Sequence, residues 1–148
     1  MGRPHGARPI RRAIDSGDSH ADIAVNKIVW KRIPGKGRAV IATAAIAKGE
    51  VVECSPVLPL ALADSECPGL TEYSLAWGED APGGLAPGKE CAIGLGYLCL
   101  YNHSEAPNVT FDHRWDADEI AVHALRDIAE GEELTIDYGV PLWFAKSA

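Results

Sequence analysis

The segment YNHSEAPN, residues 101–108, sets two asparagines, a histidine and a serine directly behind the apolar run AIGLGYLCL. Polar groups at the end of a buried segment must find partners or lose free energy. The cluster is therefore built to hold something: a turn, a metal or a ligand. Further on, GEELTIDYG at 131–139 runs an extended stretch into Asp137-Tyr138-Gly139, a reactive phenol at a tight stop. Upstream, GKGR places Gly35 and Gly37 around Lys36. Two glycines let a backbone approach a ligand closely. The dinucleotide fingerprint needs G-x-G-x-x-G opening a helix; here a β-type run follows, so that reading is disfavoured.

Other chemistries are weaker on spacing. The four cysteines, Cys54, Cys67, Cys91 and Cys99, include no C-x-x-C pair, which argues against a structural zinc site. Cys91 and Cys99 sit in an apolar run and are expected to pack as small hydrophobes. A hydrolase built on Cys99, His103 and an Asp would need thiol and imidazole in contact. The spacing of four would bring them together only on a helix, which the local Gly and Pro content disfavours. Asp112, His113, Asp116 and Asp118 in DHRWDADE do not match the calcium-loop spacing; a solvated hairpin tip is expected.

The elements that must position these residues are short strands. KIVWKRI (27–33), AVIATAAI (39–46), VVEC (51–54), NVTF (108–111) and EIAVHAL (119–125) are rich in β-branched and apolar residues. In the last, Ile120, Val122 and Ala124 share one face. LTEYSLAW (70–77) reads as strand or short helix within a Gly/Pro-rich stretch, 62–90. IAKGEVV (46–52) and IAEGEEL (128–134) repeat I-A-x-G-E before an extended run, each with Gly at a turn. No long amphipathic helix is legible, so the expected class is mostly β with irregular connections. Residues 1–22 read as a flexible basic tail and 23–148 as one domain.

Composition is that of an ordinary globular chain, 47% apolar and 24% charged. No apolar run is long enough to span a membrane and no secretory signal is visible, so a cytoplasmic protein is expected. Charge is divided unevenly: +6 over residues 1–38 and −13 over 39–148, giving −7 in all. An acidic body argues against nucleic acid as main ligand and favours a basic, Lys/Arg-rich partner.

Taken in order, G-x-G, N-H-S-x-x-P-N and G-E-E-L-T-x-D-Y-G resemble the SET domain, the lysine methyltransferase fold. The resemblance runs from about Lys27 to Phe144 and is closest to the small stand-alone members of viruses and bacteria. It implies a β-clip of short strands with a C-terminal pseudoknot, the strand from Leu134 to Tyr138 threading beneath 102–108. It implies an S-adenosylmethionine-dependent protein-lysine N-methyltransferase. The cofactor would lie against Lys36, Gly37, Asn102, His103 (largely through its backbone), Tyr138 and Trp143. Tyr138 would be the catalytic tyrosine, with Tyr73 as a second; Tyr73, Phe111, Ile136 and Tyr138 would wall the lysine channel. Neither Phe111 nor Ile136 carries a hydroxyl to restrain the amine, which favours di- or trimethylation. The cysteine-bearing zinc segment of larger members is missing from VPLWFAKSA, so no metal is expected; Trp143 or Phe144 could close over the cofactor instead. The resemblance also admits a homodimer, and a rival in which the fold binds peptide or cofactor without turnover.

Overall fold

The computed structural model describes residues 27–61, 63, 69–78, 83–84 and 88–139. The expected tail at 1–22, Cys67, Trp143 and Phe144 lie outside them. The described elements are nine strands: β1 Ile28–Ile33, β2 Gly37–Ala42, β3 Val51–Leu60, β4 Ser74–Ala76, β5 Cys91–Gly94, β6 Asn102–His103, β7 Val109–Arg114, β8 Glu119–Ala124 and β9 Glu133–Ile136. Two 3-10 turns, Thr71–Tyr73 and Leu98–Leu100, precede β4 and β6. Among the described residues no helix is long and apolar enough to cross a membrane.

One sheet has the order β1-β2-β9-β6, the other β4-β5-β3-β8-β7. In the first, β1 and β2 form a hairpin through Pro34-Gly35-Lys36, with Lys36 N–H on Ile33 O at 3.1 Å. Gly35 and Gly37 have φ of 79° and 85°, so the turn needs glycine at both places. β2 has neighbours on both sides, and its Ala39, Val40, Ile41 and Ala42 are all buried. In the second sheet, Ile120, Ala121, Val122 and Ala124 of β8 are buried, one residue more than a single face.

The two I-A-x-G-E segments pair with each other. Ile46 and Ile128 exchange both backbone hydrogen bonds at 2.9 Å. Within each copy the glutamate side chain accepts from the alanine N–H: Glu50 from Ala47 and Glu132 from Ala129, both at 3.1 Å. Gly49 and Gly131 turn at φ 82° and 84°. The repeat is thus a pair of facing turns that ties the start of β3 to the start of β9.

Two expectations change. The strand read as VVEC continues to Leu60, past two prolines. Pro56 is the last residue paired to β8, and pairing to β5 begins at Val57, so the proline sits where the strand changes partner. The run 39–46 ends as strand at Ala42, and Ile46 contributes only the isolated bridge. LTEYSLAW is both things proposed for it, a 3-10 turn followed by a strand.

β9 lies between β2, antiparallel, and β6, parallel. The segment leaving β6 closes over it: Ser104 N–H reaches Ile136 O at 2.9 Å and Asn108 N–H reaches Thr135 O at 3.2 Å. The side chain of Asn108, almost fully buried, donates to Glu133 O at 2.8 Å and accepts from Thr135 N–H at 2.8 Å. This is the threaded arrangement that the SET-domain resemblance implies. It answers what the second asparagine of YNHSEAPN is for: it clamps a strand.

Candidate active site

Threading β9 against β6 brings Tyr138 to Asn102 and His103. Tyr138 N–H donates to His103 Nδ1 at 3.2 Å, and the rings stand 5.3 Å apart. Tyr138 Oη donates to the backbone carbonyl of Tyr101 at 2.9 Å. Burial raises the phenol's pKa, and Cys99 and Glu133 add to this against one lowering hydrogen bond. The hydroxyl is therefore protonated at neutral pH and committed as a donor.

Tyr138 lies between two cavities. The first, about 420 Å³, is lined by Arg32, Lys36, Gly37, Arg38, Glu72, Tyr73, Cys99, Leu100, Tyr101, Asn102 and Tyr138. Glu133 organises it, accepting from Lys36 Nζ at 2.9 Å and from Asn102 Nδ2 at 2.7 Å. Asn102 also donates to Arg38 O at 2.9 Å. With its amide hydrogens engaged, Asn102 offers its carbonyl oxygen to a bound donor. Three cations, an acceptor and aromatic surface suit a zwitterionic ligand, in the size range of small-molecule sites.

The second cavity, about 360 Å³, includes Leu75, Ala76, Phe111, His113, Trp115, Ile136, Asp137 and Tyr138 in its lining. Its walls are mostly apolar. β4 and β7, the two edge strands of the five-stranded sheet, both contribute to it.

Lys36, Gly37, Asn102 and Tyr138 share the first cavity; Phe111, Ile136 and Tyr138 share the second. Tyr73 does not join Phe111 and Ile136 as a channel wall. It closes the 3-10 turn on the first-cavity side, where Arg38 donates to its hydroxyl. Two residues on, β4 puts Leu75 and Ala76 at the second cavity instead. His103 turns its ring to Tyr138 rather than into either cavity. Cys99 donates to the carbonyls of Tyr73 and Gly94 at 3.2 and 3.4 Å, and burial raises its pKa. Since His103 Nδ1 is occupied by Tyr138 N–H, the geometry does not assemble a Cys–His nucleophile.

Some site residues were not legible. Glu133 stood in an acidic turn like any other, and only its cross-chain donors reveal it. Trp115, within the stretch expected to be a solvated hairpin tip, stacks on His113 at 4.7 Å, and both rings pack near Trp77. Asp116 and Asp118 do occupy the turn, Asp118 at φ 50°. Among the described residues, no group of three or more His, Cys, Asp or Glu is placed to hold a metal ion.

A sequence model of the SET domain matches residues 37–139. The chain belongs to the SET-domain family. It is 36% identical over 117 residues to the H3 lysine-37 specific histone-lysine N-methyltransferase of Schizosaccharomyces pombe, covering 76% of this chain and 74% of that one. Its fold matches that of a candidate histone methyltransferase of Plasmodium falciparum with a TM-score of 0.61 at 25% identity, over 80% of this chain and 97% of the other. It also matches KRYPTONITE, solved with DNA, an H3 peptide and SAH, with a TM-score of 0.55 at 25% identity, over 78% of this chain and 24% of that larger one. The SET domain here is a protein-lysine N-methyltransferase that uses S-adenosylmethionine.

Proposed function

We propose that this SET domain methylates a lysine in a basic, histone-like protein tail, with cofactor and lysine entering from opposite sides of Tyr138. The observation that carries this is the position of Tyr138 in the walls of both cavities. S-adenosylmethionine in the first cavity supplies an electrophilic methyl group. Arg32, Lys36 and Arg38 would face its carboxylate, and the carbonyl oxygen of Asn102 its amine. The target side chain would occupy the second cavity, where Leu75, Phe111 and Ile136 supply apolar walls.

A free lysine has a pKa near about 10.4, and an apolar channel disfavours the charged form. Phe111 and Ile136 thus help present a neutral amine. Tyr138, a protonated donor fixed on Tyr101 O, orients the reacting end rather than removing a proton. Positioning of this kind is worth up to several powers of ten in rate. β4, which ends its sheet among the described residues, would offer the substrate backbone a strand to pair with. Three features support a basic tail: the −13 charge of residues 39–148, the carboxylate of Asp137 at the second cavity, and the histone specificity of the fission-yeast relative. Phe111 and Ile136, both without a hydroxyl, favour di- or trimethyl products. Such substrates would be met in the cytoplasm or, where histones are the target, in the nucleus.

The test is titration calorimetry with S-adenosylmethionine, followed by mass spectrometry of histone-tail peptides. Wild type should bind and transfer, Asn102→Ala should lose binding, and Tyr138→Phe should bind but transfer little. A folded wild type that binds no cofactor at millimolar concentration would favour a peptide-binding module.

A further inference from the structure

We propose that Glu53 is a positioning residue for methyl transfer: it anchors Tyr101, which sets both the Tyr138 hydroxyl and the Phe111 ring. This rests on the reading of Tyr138 as the tyrosine at the reacting centre.

Glu53 is 2% exposed, on β3, outside both cavities. Three donors converge on its carboxylate: Ser55 Oγ, Tyr97 N–H and Tyr101 Oη, each at 2.7 Å. A buried acid is expensive unless fully hydrogen-bonded. The surrounding chain is fitted to this one. Gly96 turns at φ 65°, and a Cβ there would stand 2.4 Å from both Glu53 Oε1 and Ser55 Oγ. Two of the three donors, Tyr97 and Tyr101, flank the 3-10 turn that delivers the chain to Asn102.

Tyr101 carries the effect to the site. Its ring is 2% exposed and meets Phe111 edge-on, centroids 5.8 Å apart at 82°. Its carbonyl accepts the Tyr138 hydroxyl at 2.9 Å. Burial and the neighbouring Glu53 carboxylate both raise the Tyr101 pKa, so its proton stays on the bond to Glu53. One residue therefore links a buried carboxylate to two walls of the cavity assigned to the lysine. Displacing Tyr101 would shift the donor that orients the amine and the ring that limits its room.

The test compares Tyr101→Phe and Glu53→Gln with wild type, with Tyr138→Phe and the remote core variant Ile46→Val as references. Tyr101→Phe removes only the hydroxyl and keeps ring and carbonyl. Glu53→Gln keeps the shape but turns one acceptor into a donor. Both should lower kcat per folded molecule about ten-fold; cofactor Kd, read alongside because Tyr101 also lines the first cavity, should change several-fold less than kcat does. Both should also change the ratio of mono-, di- and trimethyl products. Ile46→Val, whatever its stability, should change neither. Compared at equal total methyl incorporation, loss of folded protein leaves the ratio unchanged, so a merely structural Glu53 cannot move it. If Glu53→Gln does not fold, Tyr101→Phe alone decides. Unchanged kcat and product ratio in Tyr101→Phe, with Tyr138→Phe inactive, overturns the inference and leaves the site reading standing. Full activity in Tyr138→Phe overturns the site reading itself.

Discussion

Asn108→Ala isolates what the threaded strand depends on. The side chain is 2% exposed, accepts from Thr135 N–H at 2.8 Å and donates to Glu133 O at 2.8 Å. Its third bond, to Glu132 Oε1 at 3.2 Å, ends on a half-exposed carboxylate and counts for little. Alanine removes a partner from two backbone groups of β9, and a buried group left short of one costs about 1–3 kcal/mol. The sum is about 2–6 kcal/mol, a large share of the roughly 5–15 kcal/mol that holds a domain together. For a chain of this size that corresponds to a fall in Tm of about 4–24 °C. Ser104→Ala is the control, because its hydroxyl accepts only the exposed Ala106 N–H at 3.1 Å; it should lose about 0.5 kcal/mol. Urea and thermal unfolding of both variants supply the comparison. Equal losses would refute the clamp, since Asn108 would then be one more loop residue and β9 would be held by β2 and β6 alone.

The other predictions concern acid stability, packing and product. Glu132 is held down to about 2 from its ordinary 4.5, first by the hydrogen bond from Arg126 and then by Ala129 N–H. Its contribution is complete above pH 4.5 and is lost as pH falls toward 2; Arg126→Ala should flatten that limb of urea midpoint against pH, and an unchanged limb contradicts the pairing. Gly96→Ala combines a positive φ with a 2.4 Å clash, whereas Gly35→Ala has φ 79° and open space around it. Gly35→Ala should therefore lose about 1 kcal/mol and Gly96→Ala at least about twice that, read from unfolding midpoints; similar losses would show that the Glu53 shell is loose. Phe111→Tyr adds a hydroxyl to the second cavity and should shift products toward monomethyl-lysine by mass spectrometry, with cofactor affinity unchanged. An unaltered product pattern would mean that Phe111 does not border the amine.

The parts of this molecule that were legible in the sequence are those whose signal is local. Gly35 and Gly37 announce a turn, and Asn102, His103, Asn108 and Tyr138 stand in short motifs whose order survives folding. The I-A-x-G-E repeat was visible as a repeat. That Ile46 pairs with Ile128 was not, because nothing local encodes a partner so distant in the chain. Glu53 was hidden by geometry: β3 carries an irregularity between Val51 and Glu53, so the simple alternation breaks and both Val52 and Glu53 turn inward. Tyr73 lines a different cavity from Phe111 and Ile136 because the change from 3-10 turn to strand, within LTEYSLAW, decides which residues reach which cavity. Trp115 reads with its charged neighbours, and only the approach of Trp77 from another segment, beside the stacking on His113 two residues away, makes it part of a wall.

The two halves of YNHSEAPN divide the work of the site between them. Asn102 offers a polar group to the first cavity, and His103 steadies the backbone of Tyr138 from outside both cavities. Asn108 faces the fold and keeps β9 in place. Tyr138 follows β9 directly, so the strand that the second asparagine clamps sets the height of the phenol that the histidine steadies. The phenol in turn donates a hydrogen bond to the backbone carbonyl of Tyr101, the residue just before Asn102. A hydroxyl tied in this way is unsuited to accept a proton from lysine. In the proposed reading it would serve as a fixed dipole between two cavities, and the amine would have to arrive neutral. The apolar lining contributed by Leu75, Phe111 and Ile136 would favour that form against the Asp137 carboxylate in the same cavity, so the proposed chemistry depends as much on those unreactive side chains as on the tyrosine.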